Sequence, residues 1–92
     1  MRIISGIFKN KKLNFPKNFK TRPLKDRVRE NIFNIIQHSN KIEISIKNSQ
    51  VLDLYAGIGS FGLECISRGA KKIFFVENDK DALSNLKKNI VS

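Results

Sequence analysis

The chain has 92 residues, of which 40% are apolar, and 18 Lys and Arg face only 8 Asp and Glu for a net charge of +10. This length allows one domain at most, and no apolar run nears the roughly 18 residues a membrane span requires. Cys65 is the one cysteine, which excludes an internal disulfide and a thiolate metal cluster.

The opening "MRIISGIFKNKK" has a short apolar stretch and no small-residue cleavage site. It lacks the anatomy of a signal peptide, so a cytoplasmic location is expected. The charge is lopsided. Residues 1–50 carry 12 Lys and Arg against 3 Asp and Glu, whereas residues 51–92 carry 6 against 5. A basic surface of this kind attracts polyanions through counterion release, and nucleic acid is the expected partner.

"RIISGIF" (2–8) and "KLNF" (12–15) are short and rich in Ile and Phe, and the polar Lys9-Asn10-Lys11 separates them, which predicts a β-hairpin. "PKNFKTRP" has two prolines and no periodicity, so it reads as an irregular connection. A helix is predicted from Pro23 to near His38, with Thr21 or Arg22 near its cap. Its apolar face is expected to hold Val28, Ile32, Ile35 and Ile36, with Lys25, Arg29 and Glu30 pointing elsewhere. His38 has no second histidine, carboxylate or cysteine at ligand spacing. Residues 39–49 read as a loop or an edge strand.

"QVLDLY" (50–55) predicts a strand, followed by a glycine turn and a helix from Ser60 that stops at Gly69. "KKIFFVE" (71–77) predicts a second strand. Asn78 is expected to cap a last helix, with Asp81 in the capping-box position and Ala82, Leu83, Leu86 and Ile90 facing inward. The order strand, helix, strand, helix makes a βαβ unit with a parallel sheet.

"VLDLYAGIGSFG" (51–62) contains G-x-G-x-x-G between the first strand and its helix. Such a turn brings the backbone close to a nucleotide, and an acid ending the next strand can take the ribose hydroxyls. Glu77 lies 20 residues after Gly57 and fits that role. NAD and S-adenosylmethionine fit equally to this point, and Asp53 separates them. A carboxylate in the strand before the turn repels a pyrophosphate but attracts the sulfonium and ammonium of S-adenosylmethionine, so the methyl donor is the better match.

"TRPLKDRVRENIFNI" (21–35), "VLDLYAGIGSFGLECISRGAKKIFFVEND" (51–79) and the opening "MRIISG" closely resemble the bacterial methyltransferases of a guanine amino group (N2) in 16S, small-subunit, ribosomal RNA. The resemblance implies an α/β chain: part of a class I, Rossmann-like, S-adenosylmethionine-dependent methyltransferase fold, with residues 1–20 a basic hairpin extension and residues 21–92 the first part of the catalytic domain. It places Asp53, Ala56, Gly57 and Gly59 around the methionine part of S-adenosylmethionine, Glu77 on the ribose and Asn78 beside the adenine. Thr21 and Arg22 match a motif packed against the same site. The hairpin with Arg2, Lys9, Lys11 and Lys12, continued by Lys17 and Lys20, resembles the family's RNA-docking extension.

Tyr55 and Ile58 stand where the family commonly has Phe and a small residue. One departure is larger. Amino methylation in this family uses an Asn- or Asp-Pro-Pro-aromatic turn, and Pro16 and Pro23, the two prolines here, are not adjacent. The resemblance is therefore to the N-terminal half of such an enzyme, with no catalytic residue assigned and a second chain a candidate to supply the rest. The alternatives are a noncatalytic basic RNA-binding fragment and an NAD-binding oxidoreductase module.

Overall fold

The computed structural model describes residues 1–14, 26–39 and 45–91. Within them run α1 (Asp26–His38), β1 (Gln50–Leu54), α2 (Ser60–Ser67), β2 (Lys72–Val76) and α3 (Lys80–Val91). The strands pair in parallel from Gln50 opposite Lys72 to Leu54 opposite Val76. A parallel pair needs a crossover of a dozen or more residues, and α2 supplies it.

Side chains alternate across the pair. Ile73 and Phe75 lie beneath α2, and Gly62 allows the close approach, since a Cβ there would meet Ile73 Cγ2 at 2.9 Å and press into the Phe75 ring. The opposite face leaves Leu52, Leu54, Phe74 and Val76 about half exposed.

The core has two centres. One is Phe33, Ile46, Cys65 and Ala70, flanked by Ile36, Val51, Phe61, Ile66 and Ile73. The Phe33 and Phe61 rings stack at 4.8 Å, and the Arg68 guanidinium sits 4.5 Å from the Phe33 centroid. Burial, with smaller contributions from Asp53 and Glu64, pushes the Cys65 thiol up to about 12. It is therefore a packing residue, protonated and unreactive at neutral pH. The other centre joins Ile3 and Leu13 of the N-terminal segment to Ile58, with Met1 and Leu63 against it.

Several expectations are corrected. The hairpin is shortened to its base, where Arg2 stands opposite Lys12 and the N–H groups of Ile3, Asn10 and Leu13 donate to Lys11 O, Ile3 O and Met1 O, because Gly6 and Asn10 adopt left-handed backbone and turn the chain between them. The N–H groups of Ile7 and Phe8 go to Ser67 instead of to a facing strand. The buried face of α1 is rotated from the predicted one. Arg29 and Phe33 are fully buried, whereas Val28 and Ile35 stay exposed, because a buried carboxylate on α2 receives Arg29.

Asp79, not Asn78, caps α3, its carboxylate accepting from Ala82 N at 2.9 Å. Asn89 replaces Ile90 on the inner face, where its side chain donates to Asn14 O and Ile58 O at 2.9 Å each. The start of the helix predicted from Pro23, and Thr21, Arg22, Lys17 and Lys20, lie outside the described residues. Among the described residues, no helix is long and apolar enough to cross a membrane.

Candidate functional site

The glycine turn stands at the carboxyl end of the parallel pair, where an open α/β sheet presents its ligand crevice. Tyr55, Gly57 and Gly59 all take left-handed backbone, with φ of 57°, 59° and 88°. That succession folds the chain from strand to helix within a few residues. Ala56 N donates to Val76 O at 2.9 Å and Gly59 N to Ala56 O at 2.9 Å, so the turn is tied to the end of β2 and to itself. Nothing lies within 4 Å of the position a Cβ on Gly57 would take, whereas a Cβ on Gly59 would overlap Leu86. Gly59 is thus closed by packing, and Gly57 borders open space.

Two carboxylates converge on this turn. Glu77 Oε1 accepts from Gly57 N at 2.7 Å, while Oε2 accepts from Asn78 N at 3.0 Å and Asp79 N at 2.8 Å. Asp53 Oδ2 accepts from Gly62 N at 3.2 Å, in the first turn of α2. Burial raises the Asp53 pKa, the Gly62 hydrogen bond lowers it, and the nearby Glu77 charge raises it again. Asp53 and Glu77 therefore feel each other across the turn.

This arrangement suits a cation and disfavours a pyrophosphate. A carboxylate has about four acceptor positions, and Glu77 uses three on backbone N–H groups. One ribose hydroxyl can add at the position left, and a second requires one of these N–H groups to give way. The residues present thus fit S-adenosylmethionine.

Ala56 is buried behind the turn and Asn78 is exposed beside Glu77. Arg2, Lys9 and Lys12 are exposed on the N-terminal segment, whereas the Lys11 ammonium reaches Asn89 O at 3.4 Å and lies 5.6 Å from the Phe8 ring.

Sequence reasoning passed over two features here. Tyr55 is 92% exposed at a left-handed position, which only the turn geometry reveals. Glu64 is fully buried and organises the N-terminal segment. A lone acid inside the apolar helix "FGLECIS", four residues before Arg68, was the available signal.

The chain belongs to the family described as Conserved hypothetical protein 95, whose model matches residues 1–92. A Haemophilus influenzae protein named Ribosomal RNA small subunit methyltransferase D is 41% identical over 90 residues, which cover 98% of this chain and 44% of that protein. The Escherichia coli K12 protein of the same name is 37% identical over 92 residues, 100% of this chain and 43% of its own. The chain thus spans less than half the length of these curated relatives. A solved Escherichia coli structure, 35% identical, superimposes with a TM-score of 0.79 over 99% of this chain and 45% of its own. A solved Thermus protein described as hypothetical does so with a TM-score of 0.79 at 30% identity, over 99% and 48%.

Proposed function

We propose that this chain is the cofactor-binding part of a class I methyltransferase that uses S-adenosylmethionine. Its substrate is the guanine amino group (N2) of small-subunit ribosomal RNA, naked or in an assembling subunit, in the cytoplasm. The observation that carries the cofactor reading is the convergence of Asp53 and Glu77 on the turn beside the open space at Gly57. The substrate reading rests on the named relatives and on the cations of the N-terminal half.

When bound, S-adenosylmethionine supplies an electrophilic methyl group. Gly57 and Gly59 let the backbone close around it, and Ala56 fixes the turn to β2. Asp53 offers negative charge to its cationic methionine end, and Glu77 receives the ribose hydroxyls. Thr21 and Arg22 contribute to cofactor binding, and Asn78 borders the adenine. Residues 1–20 serve as the RNA-docking extension, with Lys17 and Lys20 prolonging its basic run, and residues 21–92 as the first part of the catalytic domain. The target amine is activated by a group outside residues 1–92, in keeping with the lack of adjacent prolines.

Calorimetric titration with S-adenosylmethionine and with NAD tests the reading. The unaltered chain should bind the first and not the second, and Asp53→Asn or Glu77→Ala should weaken binding at least about tenfold, as loss of one charged contact does. NAD binding that survives Asp53→Asn would instead establish the oxidoreductase reading.

Asp53 also gives a pH signature. Its folded pKa lies above the ordinary value of 3.8, so its favourable contribution is present below that value and is lost as pH rises through the folded pKa. At pH 7 its ionised form opposes folding, so Asp53→Asn should melt no lower than the parent while binding the cofactor less well. A lower melting temperature would show that the carboxylate holds the fold together instead.

Gly57→Ala separates space from stability. Holding Ala at φ 59° should cost about 1 kcal/mol, while the methyl group enters the open space and weakens S-adenosylmethionine binding by about tenfold or more. Unchanged affinity in the same titration would move the cofactor away from this turn.

The run of N-terminal cations favours a second reading, a noncatalytic RNA-binding fragment. RNA affinity that falls steeply with salt, in a chain that binds no S-adenosylmethionine, would establish it.

A further inference from the structure

The tip between Ser5 and Asn10 is apolar, exposed and held in place. Ile7 is 80% exposed and Phe8 44%. Behind them, Ile7 N donates to Ser67 O and Phe8 N to Ser67 Oγ, both at 2.9 Å, while the Ser67 hydroxyl donates to Ser5 O. Lys9 N returns to Gly6 O at 3.2 Å and Lys11 N to Phe8 O at 3.0 Å, which closes the tip on itself. Two large apolar side chains are thus kept in water by a backbone that several hydrogen bonds fix.

The charged side chains of the segment that carries this tip have one sign. Residues 1–14 contain Arg2, Lys9, Lys11 and Lys12 and no Asp or Glu. Arg2 and Lys12 are direct bridge partners, an arrangement of like charges that disfavours the pairing unless an anion lies over it. The Arg2 guanidinium also donates to Asn10 Oδ1 at 3.3 Å, which keeps it beside the tip.

We propose that this tip docks an unpaired RNA nucleotide, with Phe8 stacking on the base and Arg2, Lys9 and Lys12 taking the flanking phosphates. The inference rests on the RNA-docking reading of the N-terminal extension and names the chemistry of its contact. The half-exposed ring, with the Lys11 ammonium over it at 5.6 Å and three exposed cations in the same segment, offers both a π-face and charge for phosphates, the pairing that single-strand readers use. A duplex hides its base faces, so the ring has nothing to stack on there except at the ends.

The test is fluorescence anisotropy of the full chain with a labelled uridine oligomer of about 12 nucleotides, within the site sizes of such platforms. An RNA duplex of the same length and anionic phosphatidylserine vesicles are the other two arms. Phe8→Ala and Phe8→Leu should lower single-strand affinity about 5- to 100-fold and Phe8→Trp should preserve it, with melting temperatures unchanged because Phe8 is half exposed. Duplex affinity should change little. Lys9→Ala should weaken both RNA arms and lower the salt slope by about 1.

Equal losses on single strand and duplex, or full affinity in Phe8→Leu, would overturn the stacking role while leaving RNA docking intact. A Phe8 dependence confined to the vesicles would replace RNA with a lipid surface. Failure of the unaltered chain to bind either RNA would instead overturn the docking reading itself.

Discussion

Glu64→Ala is expected to release the N-terminal segment from α2 and to lower stability by about 3 to 5 kcal/mol, the cost of breaking a buried ion pair from one side. The Glu64 carboxylate is fully buried and accepts from Ile4 N at 2.7 Å, Ser5 N at 3.0 Å and Arg68 Nε at 2.9 Å. Arg29 Nε lies 3.8 Å from it, also fully buried, and Arg29 donates onward to Arg2 O. Alanine would take the Glu64 carboxylate away from that buried guanidinium and leave the Ile4 and Ser5 N–H groups without the acceptor they use. Small domains have only about 5 to 15 kcal/mol in total, so the loss is a large fraction. Urea unfolding and limited proteolysis check the result together. The variant should unfold at lower urea and be cut first near residues 4–9, whereas an unchanged midpoint would mean that the ion pair is energetically idle. Glu64→Gln, which keeps an acceptor oxygen and loses the charge, should fall between the two.

Gly6→Ala should displace the apolar tip and cost about 2 to 4 kcal/mol, combining left-handed strain with the loss of two or three hydrogen bonds. Gly6 has φ 88°, and a Cβ there would run into the backbone carbonyl of Ser67, an obstacle that no rotamer change removes. The nearest accommodation is to lift residues 6–8 off α2, which breaks the bonds from Ile7 N and Phe8 N. Amide hydrogen exchange at Ile7 and Phe8 reports this directly. Exchange should accelerate at those two amides before it does in β1 and β2. Protection equal to the parent would show that α2 moves to admit the methyl group.

The central α/β unit was legible because its signals are local. Ser60 after the turn, Gly69 at φ 107° beyond α2, and the apolar runs of β1 and β2 each announce an element within a few residues. The meeting of Asp53, Gly57 and Glu77 was legible for the same reason, since the three sit at fixed offsets around one turn. What misled was contact across the chain. Arg29 looked like a solvent-facing cation on α1 until Glu64, 35 residues later, supplied a buried partner. The hairpin pairs only at its base because Ser67, not a facing strand, takes the Ile7 and Phe8 amides. Asn78 and Asp79 are both good capping types, and it is the Asp79 carboxylate that reaches Ala82 N, since α3 begins at Lys80.

The seat of the N-terminal segment bears on how the chain is made. Ile4 bonds to a residue 60 positions later and Asn14 to one 75 positions later. At ribosomal speeds of about 5 to 20 residues per second, the basic tip leaves the exit tunnel seconds before α2 and α3 exist to receive it. During that interval the segment has no seat, and docking onto α2 fixes its backbone while leaving Ile7 and Phe8 exposed. The buried Glu64 thus acts only once α2 has emerged, gathering Ile4, made 60 positions earlier, onto that helix.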